Sequence, residues 1–320
     1  MSTSLPSTVR ELVEHQALVR PTKVFALATE TGQTINFGQL ARSCRHVTTL
    51  LKAHGAQPGD TVSLVMPNGL MTIQLLLGAM HGGFTVNPVN LLSQPEQMRD
   101  VLMHSDCSVV CVAPEWEHRV RTYLTAVDRP VTVMVCAANT GAPPEFEEPD
   151  AAEVPPPAPD TVALLMYTSG TTGLPKGVML TQANLTANAQ AIGIEHALDH
   201  EDRVLAVLPL YHINAFAVTM LAPLATGGSL AVPPKFSAAR FWTQAWTTEC
   251  TWINVVPTMI SYLLEGEAPE RERTVRIRFC RSASAALPPE HHRAFEGKFG
   301  IGIIETMGLT ETAAPSFSNP

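Results

Sequence analysis

The chain has 320 residues, 45% of them apolar and only 16% charged, with a formal net charge of −8. A chain of this length buries about three quarters of the surface its unfolded form exposes, which argues for a globular protein of about two domains and against a disordered one. The acidic balance argues against nonspecific binding to nucleic acid or anionic membrane, so a polyanion site has to be built from local charge. An amphipathic pattern over residues 5–19 predicts a first helix, and residues 38–54 a second, entered through 34–37 and closed by Gly55. A turn at Pro58-Gly59-Asp60 leads into a strand over 61–65. Pro67-Asn68-Gly69 ends it, and residues 70–81 read as a buried helix. Helix 94–104, strand 108–112, helix 115–126 and strand 131–136 follow, the rhythm of a parallel α/β sheet.

From residue 143 to 160 there are seven prolines and six acidic residues, a solvated connection with no core of its own. It delivers the chain to a short apolar run over 162–166, a candidate strand, and then to Thr168–Gly177, reading TSGTTGLPKG. Thr168, Ser169, Thr171 and Thr172 supply hydroxyls. Gly170, Gly173 and Gly177 clear side chains from the backbone amides, and Lys176 supplies fixed positive charge. With a helix predicted over 181–191, the expected order is strand, phosphate-cradling loop, helix. The loop is not the P-loop of the common nucleotide-binding proteins, which needs Gly before the Lys and a hydroxyl after it; Pro175 and Gly177 stand there instead. A surface loop of ordinary composition is the bland alternative.

The stretch resembles the signature loop of the adenylate-forming superfamily, which includes acyl-CoA synthetases, peptide-synthetase adenylation domains and luciferases. The run INFGQL…LLKAHGAQPGDTVSLVMPNG is similar to the N-terminal part of the same superfamily. Beyond a strand over 203–208, the segment Pro209-Leu210-Tyr211-His212-Ile213-Asn214-Ala215 resembles a second landmark, whose His position lies between the acyl pocket and the nucleotide. A lone His in an apolar run is more often a core residue, so His212 is a site candidate only through its neighbours. Residues 211–218 contain no acid to bind an amino-acid ammonium, so a non-amino carboxylic acid is expected.

A strand is predicted over 227–232, and a helix over 236–248 carries Phe241, Trp242 and Trp246 as a core stripe. Strand 252–256, helix 257–264 and strand 274–279 follow. Residues 281–288 resemble the superfamily's adenine-side loop, with Ala283 in place of its usual Gly and Ala286 in place of its usual Pro. His291 and His292 are adjacent and cannot face one ligand from a helix, so a solvated face is the better reading. Glu305-Thr306-Met307-Gly308-Leu309-Thr310-Glu311 is similar to the last landmark, with Met307 in place of its aromatic residue.

The resemblance implies an α/β fold of two subdomains with mainly parallel sheets flanked by helices, the N-terminal portion of an adenylate-forming enzyme. Residues 59–194 would form the first subdomain, and residues 1–58 with 195–320 the second. The small C-terminal domain, with its hinge and lysine, finds no match in these residues, so a truncated, weakly active or inactive fragment is expected. By the same resemblance Lys176 and residues 168–173 hold phosphate, Thr310 touches the α-phosphate and Glu311 holds Mg2+. Tyr211, Asn214, Val255, Ser282, Ala283, Ser284, Ala285, Met307 and Gly308 line the adenine and acyl pocket. The implied activity is that of an acyl-CoA synthetase, using ATP, Mg2+ and coenzyme A. A ligase loading a carrier protein, a P-loop kinase and a noncatalytic binding module remain alternatives.

The N-terminus has no apolar signal segment, and Cys44, Cys107, Cys111, Cys136, Cys250 and Cys280 form no CxxC pair. Reduced buried thiols and a cytoplasmic setting are therefore expected. Residues 204–234 carry no Asp, Glu, Lys or Arg, long enough for a span. Pro209, Pro223, Gly227 and Gly228 punctuate that stretch, so no membrane segment is expected.

Overall fold

The computed structural model describes residues 5–139, 154–168 and 175–319. In chain order the first elements are α1 (Val9–Val19), β1 (Val24–Ala28), β2 (Thr34–Asn36), α2 (Phe37–Ala53), β3 (Thr61–Val65) and α3 (Leu70–His81). Next come β4 (Thr85–Pro88), α4 (Pro95–His104), β5 (Cys107–Val112), α5 (Glu117–Leu124), β6 (Thr132–Val135), β7 (Val162–Thr168), β8 (Lys176–Thr181) and α6 (Gln182–Glu195). The chain continues through β9 (Arg203–Leu205), a π-helical segment Asn214–Leu221, α7 (Ala222–Thr226), β10 (Ser229–Val232), α8 (Ala238–Thr247) and β11 (Trp252–Val255). It ends with α9 (Pro257–Glu265), β12 (Phe279–Ser282), α10 (Pro289–Phe299), β13 (Ile303–Met307) and β14 (Phe317–Ser318).

Two compact units result, one of residues 1–23 and 35–187, the other of 24–34 and 188–320. The first contains a six-stranded sheet of order β6-β5-β3-β4-β7-β8, parallel except for the β7/β8 pair. The second is built on an eight-stranded sheet, β14-β13-β12-β11-β9-β10-β1-β2, in which β13 and β14 pair antiparallel and β9 to β13 run parallel. The expected class, two α/β units with mainly parallel sheets, is the observed one.

The division corrects the expected boundary, because α1 and α2 belong to the first unit. Both pack on α3, whose twelve residues are all buried. Gly78 makes this possible: a Cβ there would stand 2.6 Å from Val47 Cβ, so α2 and α3 approach where a side chain is missing. Ser43 Oγ donates to Gln74 Oε1 at 2.6 Å, and Thr48 Oγ1 donates to the Gly78 carbonyl at 3.1 Å. From α1, Glu14 meets His81 Nε2 at 2.9 Å, and the Val9 amide donates to Gln182 Oε1 at 2.9 Å. The α1 start is fixed by a capping box between Thr8 and Glu11.

In the second unit the expected strand over 274–279 lies later, as β12. The amides of Thr274 and Val275 turn back to the Arg271 carbonyl, and that of Ile277 to Thr274, so these residues form turns instead of pairing with a neighbour. Arg278 then clamps Asp202, a buried carboxylate, with Nη1 at 2.7 and 2.6 Å from its two oxygens. Strand β9 stops at Leu205, short of the expected 208. Of the aromatic stripe on α8, Phe241 and Trp242 are buried and cross at 90°, whereas Trp246 is exposed. All six cysteines are buried and free. Among the described residues no helix is long and apolar enough to cross a membrane. Of the proline-rich connection, residues 143–153 lie outside the described residues, and 154–160 contain neither helix nor strand.

Candidate active site

Thr168 and Lys176 belong to the first unit and the other described candidates to the second. Ser169, Gly170, Thr171, Thr172 and Gly173 lie outside the described residues. What is described is the base of their loop, and it corrects the expected strand, loop, helix order. An antiparallel strand, β8, stands between the loop and α6, with Thr168 paired to Lys176 and Tyr167 to Gly177. The hairpin holds the two loop ends one strand spacing apart, as a short closed loop requires. Gly177 lets the strands close over side chains, since a Cβ there would meet Leu165 Cδ1 at 2.8 Å. Tyr167 is anchored from α4, its hydroxyl 2.7 Å from His104 Nδ1, and burial pushes its pKa up to about 12. Lys176 is exposed, at the first position of β8.

In the second unit the landmark segment leads into the π-helical turn. Tyr211 is buried and its ring packs edge-on against that of His212, with centroids 4.9 Å apart. His212 has an exposed edge, and the desolvation of its ring by surrounding atoms pushes its pKa below the usual imidazole value. Asn214 is buried and central to a polar cluster. Its Oδ1 accepts from Arg281 Nη1 at 2.6 Å and from Asn254 Nδ2 at 3.3 Å, while its Nδ2 donates to Ser284 Oγ at 3.4 Å. Arg281 Nη1 also donates to Asn254 Oδ1 at 2.9 Å, and Asn254 and Arg281 are register partners on β11 and β12. Arg281 is 1% exposed, its Nε has no hydrogen-bond partner among the described residues, and burial lowers its pKa to about 9.

The structure therefore brings Asn214 and Ser284 together with two residues that the sequence motifs did not single out, Asn254 and Arg281. The sequence signal for Asn254 was a polar residue interrupting an apolar strand; Arg281 is the first residue of the 281–288 landmark, which the structure places on β12. Val255 and Ser282 are fully buried, and the Ser282 hydroxyl has no partner among the described residues. Ala283 is buried, with its amide 3.4 Å from the Val255 carbonyl. Ser284 and Ala285 are exposed, Ser284 at a left-handed φ of 75°. This is a turn that costs a non-glycine residue energy.

The last landmark forms the end of β13 and a 3-10 turn over Thr310–Thr312. A cleft of about 510 Å³ opens beside it, lined in part by Leu287, Glu305, Thr306, Met307 and Phe317. The Thr306 hydroxyl is buried there without a partner among the described residues, and Met307 is 59% exposed. Gly308 is required by close approach, since a Cβ would lie 2.8 Å from Pro315 Cα. Thr310 is half-buried and Glu311 exposed.

The profile of AMP-binding enzymes matches residues 13–320. The chain belongs to the AMP-binding enzyme family. This AMP-binding enzyme is 51% identical over 315 residues to a sulfoacetate–CoA ligase of Cupriavidus necator, covering 98% of the chain and 62% of that relative. It is 30% identical over 290 residues to an oxalate–CoA ligase of Arabidopsis thaliana, covering 86% of the chain and 55% of the relative. It is 32% identical over 307 residues to a human mitochondrial malonate–CoA ligase, covering 89% and 52%. ATP-bound MatB from Rhodopseudomonas palustris superposes with a TM-score of 0.86 at 25% identity, over 99% of this chain and 62% of that one. The chain thus spans just over half to about three fifths of the length of these relatives.

Among the described residues no group of three or more His, Cys, Asp or Glu side chains could hold a metal by itself. An exposed lone carboxylate such as Glu311 nevertheless fits Mg2+, which binds through one or two carboxylates with substrate phosphates supplying other oxygens.

Proposed function

We propose that the full-length protein is an acyl-CoA synthetase. It would activate a short, non-amino carboxylic acid with ATP as the acyl-adenylate and pass the acyl group to coenzyme A. The observation that carries this reading is the hairpin that closes the Thr168–Lys176 loop, in a chain of the AMP-binding family. Its supports are the ligase names of the relatives and the absence of any acid over residues 211–218, where a substrate ammonium would need one. Three of the relatives are named for sulfoacetate, oxalate and malonate, short acids that carry a second acidic group.

On this reading Lys176 and the hydroxyls of Thr168, Ser169, Thr171 and Thr172, with the amides around Gly170 and Gly173, hold the phosphates. Lys176 neutralises charge as pyrophosphate departs. Thr310 donates to an α-phosphate oxygen, and Glu311 ligates Mg2+, which would screen phosphate charge when bound. His212 orients the substrate carboxylate; Tyr211, Asn214, Val255 and Ser284 form the acyl side. Ser282, Ala283, Ala285, Met307 and Gly308 border the adenine. Coenzyme A, rather than a carrier protein, is the acceptor, as in the relatives' names. Six buried, free thiols support a reducing cytoplasmic setting. The test is carboxylate-dependent exchange of pyrophosphate into ATP by the full-length protein, followed by acyl-CoA formation. Exchange without any acid dependence, or none at all, overturns the reading.

A further inference from the structure

Arg281 is an ionised group placed where an uncharged one would be expected. It sits on β12 with 1% of its surface exposed, and its recorded partners are amide oxygens, Asn214 Oδ1 at 2.6 Å and Asn254 Oδ1 at 2.9 Å. Among the described residues its Nε has no partner and no carboxylate bonds to it. Two neutral oxygens orient a guanidinium without cancelling its charge, so these partners leave the buried positive charge uncompensated. Nearby, His196 has both ring nitrogens buried and without a partner among the described residues, and burial, with the Arg281 charge added, keeps that ring neutral. The contrast is Arg278, which is closed by both oxygens of Asp202. Arg278 has its anion, whereas Arg281 is bonded to neutral oxygens.

The cluster is also close to the surface of the candidate site. Asn214 Nδ2 donates to Ser284 Oγ on an exposed loop, so a single side chain separates the guanidinium from that loop. Folding has already desolvated and oriented the cation, so an anion arriving there meets a prepared partner.

We infer that Arg281 determines specificity, receiving the second, non-reacting anionic group of a short acid such as a sulfonate or a second carboxylate. This rests on the proposed acyl-CoA synthetase reading and adds to it the residue that would enforce the substrate class. Asn214 and Asn254 hold the guanidinium in place, and an acid with an uncharged tail leaves the cation unpaired and binds poorly.

The test compares kcat/KM for sulfoacetate and malonate with kcat/KM for propionate, using the full-length enzyme. The wild type is expected to favour the two dianionic acids, and Arg281→Met to lower the ratio of dianionic to propionate values about 100-fold, the scale of a lost buried ion pair. Because removing a buried arginine can unfold the protein, Asn254→Asp serves as the second variant. It changes one atom group at the Nη1 contact and gives Arg281 an internal counter-ion, so the same ratio should fall by at least about tenfold. A ratio unchanged in Asn254→Asp, or one that stays constant in Arg281→Met while both rates fall together, overturns the inference and assigns Arg281 to packing alone. A wild type that activates propionate as well as the dianionic acids also overturns it, leaving the synthetase reading intact. A wild type that activates no acid overturns both.

Discussion

Lys176 and Glu311 are single charges on exposed positions, so their contribution is best read from rates. Lys176→Ala and Glu311→Gln in the full-length protein should each reduce adenylation at least about tenfold, since each removes charge stabilisation of about 1.4 kcal/mol or more. Pyrophosphate exchange measures this directly; wild-type rates in both would remove them from the site. His196 makes a different prediction. Its buried ring, further disfavoured as a cation by Arg281, has its pKa lowered from 6.5 to about 4. As pH falls the unfolded chain takes up the proton first, so stability present above pH 6.5 is lost progressively between about 6.5 and about 4, by at most about 3 kcal/mol. His196→Phe should keep the ring contact with Phe279 and flatten this dependence. Thermal unfolding at pH 7 and pH 5 checks it, and an equal drop in both proteins would count against the assignment. At this scale the sequence exposed the residues embedded in motifs, such as Lys176 and Asn214. Asn254 escaped because a polar residue in an apolar strand reads the same whether it faces solvent, core or ligand, and Arg281 because it opens the 281–288 landmark, which reads as a loop, whereas it lies on β12.

At the level of elements, the helices and strands of the first unit were legible wherever apolar period and breakers agreed, as at β3 and α3. Local pattern was misleading for Thr274–Ile277, where β-branched residues form turns closed on the carbonyls of Arg271 and Thr274. Strand β8 was hidden because Lys176–Thr181 has no clean alternation, and its pairing with β7 is a tertiary fact. The α2/α3 contact carries its own prediction. Gly78→Ala would force a Cβ to 2.6 Å from Val47 Cβ, and should cost about 1–3 kcal/mol by chemical denaturation. An unchanged midpoint would mean that the helices separate without penalty.

For the whole molecule, the course of the chain matters more than any element. It passes from one unit to the other after Lys23, back after Thr34 and out again after Ala187. The boundary expected at residue 58 failed because α1 and α2 precede the first strand of their own sheet, and nothing in their amphipathic pattern says which core they cover. Removing residues 1–20 should therefore destabilise the first unit, by roughly 3–5 kcal/mol, because Arg10, Glu14 and the Val9 amide are tied to α3 and Gln182. Denaturation followed by hydrogen exchange within residues 35–187 would show it; unaltered protection would not fit this packing. Helix α3 lies at the centre of these contacts, and all twelve of its residues are buried. A saturation-mutagenesis profile across residues 70–81 should consequently lack the tolerated solvent-facing stripe of an ordinary helix, showing one unbroken block of intolerance in which polar substitutions are rejected at every step.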